Sequence, residues 1–337
     1  MSKINYKPVP KKIIIINILI ALMYASWWFN FDHQGNPLLY QMLFAGEIYH
    51  LIMAFSFWFT VLPQKEKASI LPQTNFYPSI DVLIPVAGEP VSIIRKTAIA
   101  AKNLNYPNHR VYILNDGFVA NKDNWQEVEE LAQSLKVTCI TRQLPGGAKA
   151  GNINHALNIT KGDLIVILDA DMVPKPEFLS ETVPFFSDQK IGFVQTPQYY
   201  NNHKLNSVTG GAWDQQKLFF GPILWGKDRS NAAFICGTNV VIRKDALEAA
   251  GGMVEDNIAE DFLTSLKIHQ QGWISKYIPK VLVKGLAPED LGSYYKQQYR
   301  WARGSLEVLF GENPLFKRGL TLAQKVQYLS SALYYLN

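Results

Sequence analysis

Apolar side chains crowd into the first 63 residues and afterwards come in short, separated runs. Residues 12–30, KIIIINILIALMYASWWFN, are almost unbroken apolar sequence. At about 1.5 Å per residue this stretch is just long enough to cross a hydrocarbon core of about 30 Å. A polar link from Phe31 to Pro37 follows, then a second apolar stretch from Leu38 to Pro63 that contains Glu47 and His50. No small-residue cleavage site follows the first stretch, which favours a two-helix membrane hairpin over a secretory signal. Glu47 and His50 stand three apart, on one helix face. A hydrogen bond inside the helical bundle accounts for them; a polar seam toward a pore or partner helix is the alternative.

From Ser79 the pattern changes to strand, helix, strand, helix. IDVLIP (80–85), VYILN (111–115) and DLIVILD (163–169) are short, rich in β-formers and bounded by turn residues. Helical stretches lie between and after them, at about 91–104, 124–135 and 149–158. This alternation predicts an α/β domain with a largely parallel sheet and ligands at the carboxyl ends of its strands. Four segments are expected: a transmembrane hairpin (1–65), a cytoplasmic domain (66–285), amphipathic interfacial helices (286–319) and the start of a further, truncated transmembrane helix (320–337).

Charge adds an orientation. Lys3, Lys7, Lys11 and Lys12 precede the first span and Lys65 and Lys67 follow the second, while the link holds Asp32 and His33 but no Lys or Arg. The positive-inside rule places both hairpin ends, and all that follows, in the cytoplasm at the inner or plasma membrane. Among the 337 residues 48% are hydrophobic and 18% charged, an oily balance that fits membrane segments. A formal charge of +5 is too mild to argue for nucleic acid. The two cysteines, Cys139 and Cys236, have no metal-ligand spacing and suggest neither a disulfide framework nor a zinc site.

Chemistry-bearing residues fall where the strands end. Ile84–Pro90 contains Glu89 and reads first as a turn. Asn115-Asp116-Gly117 offers either a tight turn or an acceptor for a uracil N–H. Gly146-Gly147-Ala148-Lys149-Ala150-Gly151-Asn152 runs into a helix, where small residues, helix-start amides and the Lys149 charge suit a diphosphate; the GKS or GKT element of a Walker loop is missing. Asp169 and Asp171, one residue apart after LIVIL, can jointly hold Mg²⁺ or Mn²⁺, which take oxygen ligands and neutralise a departing diphosphate. Glu260 and Asp261 open a helix, serving either its dipole or as a base for a sugar hydroxyl. Gln297, Arg300 and Trp301 lie within about one helical turn. Trp301 offers a flat face to a sugar ring and Arg300 a cation to a phosphate, unless the helix simply lies on the membrane surface.

In this order the motifs resemble glycosyltransferase family 2, in its processive cellulose-synthase branch with the D, DXD, TED and QxxRW pattern. The resemblance covers about residues 80–330 and, with the hairpin, nearly the whole chain. It implies a GT-A-type nucleotide-sugar-binding domain with a mixed, mainly parallel sheet. It implies that Glu89 and Asp116 contact uridine, that Lys149 and Asn152 lie by the donor, and that Asp169 bridges nucleotide and metal with Asp171. Asp261 would be the general base, Glu260 would lie on the acceptor and diphosphate side, and Gln297, Arg300 and Trp301 would hold the diphosphate and the acceptor's terminal sugar. Phe234–Asn239 resembles the acceptor-side loop. The implied reaction is inverting transfer from a UDP-sugar, UDP-glucose first, to a growing β-glycan, with the bilayer and other secretion-complex subunits as partners and no nucleic acid.

Three departures stand out. Asn115 replaces the first Asp of DDG, Ala259 replaces the Thr of TED, and Ala87-Gly88 replace a Tyr-Asn pair that would wall the uracil pocket. None removes an essential carboxylate. The last segment, Leu320–Asn337, reads as the start of an apolar segment that then stops, as expected of an N-terminal portion or a truncated gene product without a complete pore or a cyclic-dinucleotide-sensing domain. Competing readings are a UDP-N-acetylglucosamine-using chitin or exopolysaccharide synthase, a single transfer to lipid, a non-catalytic secretion scaffold, and a peripheral nucleotidyltransferase, which the two spans and QxxRW disfavour.

Overall fold

The structure, a computed structural model, describes residues 9–62 and 76–336. Helices α1 (Lys11–Trp28) and α2 (Pro37–Val61) form the hairpin. Helix α2 starts cleanly because the Asn36 side chain accepts from the amides of Leu38 at 3.1 Å and Leu39 at 3.2 Å, with Pro37 at the first helical position. Their apolar side chains face outward: Ile15, Leu19 and Met23 on α1 and Leu39, Met42 and Leu43 on α2 are each more than half exposed. Such a surface suits lipid rather than water, and among the described residues these two helices alone are long and apolar enough to cross a membrane. Tyr24 donates to Glu47 Oε1 across the hairpin at 3.2 Å, so Glu47 forms a hydrogen bond inside the bundle. Of the lysines behind the orientation argument, Lys3, Lys7, Lys65 and Lys67 lie outside the described residues.

The strands are β1 (Ile80–Val86), β2 (His109–Asn115), β3 (Thr138–Thr141), β4 (Leu164–Ile167), β5 (Val173–Pro174), β6 (Ile191–Gln195), β7 (Val240–Arg243), β8 (Ile274–Tyr277) and β9 (Val283–Lys284). Seven build one sheet in the order β3-β2-β1-β4-β7-β6-β8, and β5 pairs with β9 apart from it. Pairing is parallel for β1 with β2 and β4, β2 with β3, and β6 with β8; β7 runs antiparallel to β4 and β6. The sheet is thus mixed and mainly parallel, with the fold class the motifs implied. All seven residues of β1 are buried, as expected where both faces are covered. Val82, Ile84, Val111 and Ile113 face one apolar layer and Leu83, Tyr112 and Leu114 the other.

Helices α3 (Val91–Lys102) and α4 (Trp125–Leu135) contribute to the first layer, and α5 (Ala148–Leu157) to the second. Next come α6 (Phe178–Thr182), α7 (Ser207–Leu218), α8 (Leu224–Arg229), α9 (Lys244–Ala249) and α10 (Glu260–Gln270). Last are α11 (Leu291–Gly311) and α12 (Leu322–Leu333). Helix α12 has 12 residues, about 18 Å by the helical rise, and buries Gln324, Gln327 and Tyr328. It ties the hairpin to the α/β domain: Thr60 donates to Gln327 Oε1 at 3.0 Å, and Lys227 donates to Gln327 O at 2.6 Å, Gln327 Oε1 at 3.0 Å and Ser330 Oγ at 3.3 Å. Helices α2 and α8 touch backbone to backbone here, since a Cβ on Gly226 would lie 1.9 Å from Thr60 O.

Candidate active site

Glu89, Asp116, Asp169 and Asp171 follow the carboxyl ends of β1, β2 and β4, and Lys149, Glu260 and Asp261 stand in the first turns of α5 and α10. Asn152 lies one turn into α5, and Gln297, Arg300 and Trp301 lie within α11. After β1 the Glu89 carboxylate accepts from its own turn, Ala87 N, at 2.6 Å. After β2, Asn115 is fully buried; its Oδ1 accepts from Gly117 N at 3.0 Å and its amide donates to Trp125 O at 2.8 Å. Asn115 therefore stitches the turn, and Asp116 is the acidic residue at this strand end. Asp116 is itself held by a residue the sequence reading missed. Arg142, just beyond β3, donates Nε to Asp116 Oδ1 at 2.9 Å and Nη2 to Oδ2 at 2.6 Å.

Backbone leads from Arg142 into α5 through Gly146 (φ 148°), Gly147 (φ 61°) and Ala148 (φ 43°). Glycine takes such left-handed angles at little cost. No side chain among the described residues caps α5, so its first amides remain available to an anion. Lys149, in its first turn, pairs with Asp169 Oδ1 and donates to Gly237 O at 2.7 Å. Burial works to lower the Lys149 ammonium, but the charges of Asp169, Glu260 and Asp261 outweigh it and hold the amine above its ordinary value. Asn152, by contrast, is 1% exposed and donates to Leu114 O at 2.9 Å, fastening α5 to the end of β2.

After β4 come Asp169 and Asp171. Burial, and next the Asp169 charge, push Asp171 up to about 6. Two like charges crowded at a strand end are unfavourable alone and are relieved by a hard cation, which wants oxygen donors of this kind. The donor set therefore fits Mg²⁺ or Mn²⁺, with remaining ligands from phosphate and water. Among the described residues no cluster of three or more His, Cys, Asp or Glu could hold a metal instead.

Glu260 and Asp261 open α10. Asp261 rises to about 7, first through burial and then through Glu260, while its Oδ1 accepts from Phe262 N at 2.7 Å. Burial raises Glu260 as well, with the charges of Lys149 and of Arg300 on α11 pulling the other way. The loop holding Phe234–Asn239 runs between the lysine and the base: a Cβ on Gly237 would stand 3.4 Å from Asp261 Oδ2 and 3.7 Å from Lys149 Nζ. Cys236, in the same loop, has its thiol pushed up by burial and by Asp261.

Gln297 lies by Tyr200, another residue the sequence reading passed over. Tyr200 is pushed up to about 12 by burial, hydrogen-bonds with Gln297 and Gln216, and feels the charges of Asp171 and Asp169. Gln298 instead bonds Gln215 of α7 in both directions, at 2.9 and 3.0 Å. Trp301 is partly buried beside Arg300, which is exposed. Helix α11 lies tight on α10, for a Cβ on Gly304 would be 2.9 Å from Ala259 Cβ. A cavity of about 460 Å³, lined by Arg142, Gly146, His155 and Glu255 among others, is not lined by Asp116, Asp169, Asp171 or Asp261.

A mixed, mainly parallel sheet whose strand ends gather paired carboxylates, a lysine on a helix start and a buried aspartate is the arrangement of a nucleotide-sugar transferase class. Residues 78–304 match the family described as glycosyltransferase like family 2, and the chain belongs to that family. It is 34% identical over 302 residues to the UDP-forming cellulose synthase catalytic subunit of Xanthomonas axonopodis pv. citri, covering 87% of this chain and 41% of that protein. Against the corresponding subunit of Komagataeibacter sucrofermentans identity is 33% over 332 residues, 94% of this chain and 43% of that protein. Cellulose synthase 1 of Komagataeibacter xylinus is 33% identical over 99% of the chain, which spans 22% of its length. The chain thus spans less than half of these relatives. Among solved structures, a mannosyltransferase from Pyrobaculum calidifontis in complex with GDP-Man and Mn²⁺ superposes with a TM-score of 0.66, at 17% identity over 85% of this chain and 78% of that one. Staphylococcus aureus TarS 1–349 in complex with UDP-GlcNAc gives 0.52, at 15% identity over 77% and 72%. These two show a shared fold.

Proposed function

We propose that the chain is the catalytic part of a membrane-embedded, metal-dependent inverting glycosyltransferase that moves glucose from UDP-glucose to the end of a growing β-glycan. The observation that carries this is the convergence of Lys149, Asp169, Gly237 and Asp261 within one small volume. The names of the relatives support UDP and a glucan as the donor nucleotide and the product class.

In this reading Glu89 and Asp116 face the uridine, while Lys149 and the free amides of α5 take the diphosphate. Asp169 and Asp171 hold Mg²⁺ or Mn²⁺, which when bound neutralises charge on the diphosphate oxygens. Asp261 takes the proton from the acceptor hydroxyl as that oxygen forms its bond to the anomeric carbon and UDP departs, giving a β linkage. Arg300 faces the departing phosphate from α11, as does Gln297 beside Tyr200, and Trp301 supplies a flat face for the acceptor's terminal sugar. The hairpin anchors the domain at the inner face of the membrane, and a polysaccharide and other secretion-complex subunits are its partners. The four-segment division into hairpin, catalytic domain, interfacial helices and the start of a further transmembrane helix belongs to the same proposal. UDP titration in detergent with and without Mn²⁺ tests it: Mn²⁺-dependent binding that Asp169→Asn abolishes is expected, and metal-independent binding of equal strength would contradict the site.

A further inference from the structure

We propose that Arg142 is a base-selecting positioning residue for the donor nucleotide, acting through Asp116. The inference rests on the donor-site reading above and adds a residue to it. Arg142 and Asp116 meet fork to fork, and their side chains are only 8% and 9% exposed. The same guanidinium donates Nη1 to Gly146 O and Nη2 to Ala148 O, the latter at 3.3 Å. One side chain therefore joins the end of β2, the end of β3 and the loop entering α5. Gly151 leaves room for this arrangement, since a Cβ there would lie 2.2 Å from Gly146 O and 2.8 Å from Arg142 Nη1.

A two-pronged guanidinium fixes the plane of its carboxylate partner, which a lysine point charge does not. Each carboxylate oxygen keeps a lone pair beyond the one Arg142 uses, and an ion-paired carboxylate only accepts hydrogen bonds. Asn115 cannot share this task because both ends of its amide are spent in the turn. A pyrimidine with a ring N–H, as in uracil, matches a fixed acceptor. Cytosine presents a lone pair at the same ring position and is repelled. Selection of uracil then depends on the direction in which Arg142 holds Asp116.

The test measures UDP and CDP affinity with Mn²⁺ for the full chain in detergent, alongside its thermal midpoint. Wild type is expected to prefer UDP by about tenfold or more, as for a site built to pair with a ligand N–H. Arg142→Lys is expected to narrow that ratio to within about threefold, through weaker UDP binding. Should this variant fail to fold, Arg142→Gln, whose amide keeps a donor toward Asp116 without the two-pronged clamp, is expected to narrow the ratio likewise. A wild-type ratio in the variant overturns the role of Arg142 and leaves the donor site standing. Equal loss of UDP and CDP also overturns it, making the arginine a structural staple. Absence of UDP binding by wild type overturns both the inference and the donor-site reading.

Discussion

Replacing Asp261 by Asn keeps the shape of the side chain and removes its ability to take a proton. A positioned general base contributes about 10²- to 10⁴-fold, so turnover is expected to fall by at least about a hundredfold, equivalent to about 2.7 kcal/mol or more. The pH profile of wild type carries a second signature. With Asp261 raised to about 7 by burial and Glu260, about nine-tenths of the base is ionised at pH 8 and about one-tenth at pH 6. The rate should therefore drop about tenfold between those values. The same shift makes a stability statement: from 3.8 to about 7 the folded state binds more protons than the unfolded one, so this group costs stability as pH rises through that window. Asp261→Asn is accordingly expected to melt above wild type at pH 8 and level with it near pH 4. UDP release, UDP binding and thermal midpoints across pH 4–8 read all three. An Asn variant that keeps more than a tenth of wild-type turnover, or that loses donor binding in proportion to turnover, would refute the base assignment.

Gly304→Ala would press a methyl group against Ala259 and shift α11 relative to α10; because Arg300 and Asp261 ride on those helices, turnover should fall more than donor affinity, a split that steady-state kinetics with UDP binding would show. Lys227 is lowered from 10.5 to about 7 by burial, so between those values the unfolded chain holds more protons and stability rises with pH. Thermal midpoints at pH 7, 8 and 9 should show wild type gaining on Lys227→Met, and parallel curves would contradict that burial effect.

Much of the site was readable because its signals are local. An apolar run ending in Asp169-Ala170-Asp171 places two carboxylates at a buried strand end without any tertiary information, and Lys149 is marked by the glycines before it. What the sequence concealed is long-range. Arg142 is 26 positions from Asp116, and nothing nearby shows that they pair. Tyr200 follows β6 in an ordinary aromatic pair, and only the fold brings it beside Gln297 and within range of the charges of Asp169 and Asp171. Strand β7 is a short apolar run whose insertion antiparallel between β4 and β6 is a property of sheet order rather than of periodicity. The composition of 320–337 likewise carries no sign that Gln324 and Gln327 turn inward, because their buried partners lie on α8, on the end of α2 and at Asn231.

The most direct test of the central claim is sugar transfer by the purified chain in detergent. UDP release is followed with Mn²⁺ from UDP-glucose and UDP-N-acetylglucosamine side by side, with Asp261→Asn as control. Turnover of UDP-glucose that requires both Mn²⁺ and Asp261 is the expected result. Mn²⁺-dependent UDP binding with no turnover of either donor would contradict it and make the chain a nucleotide-binding scaffold.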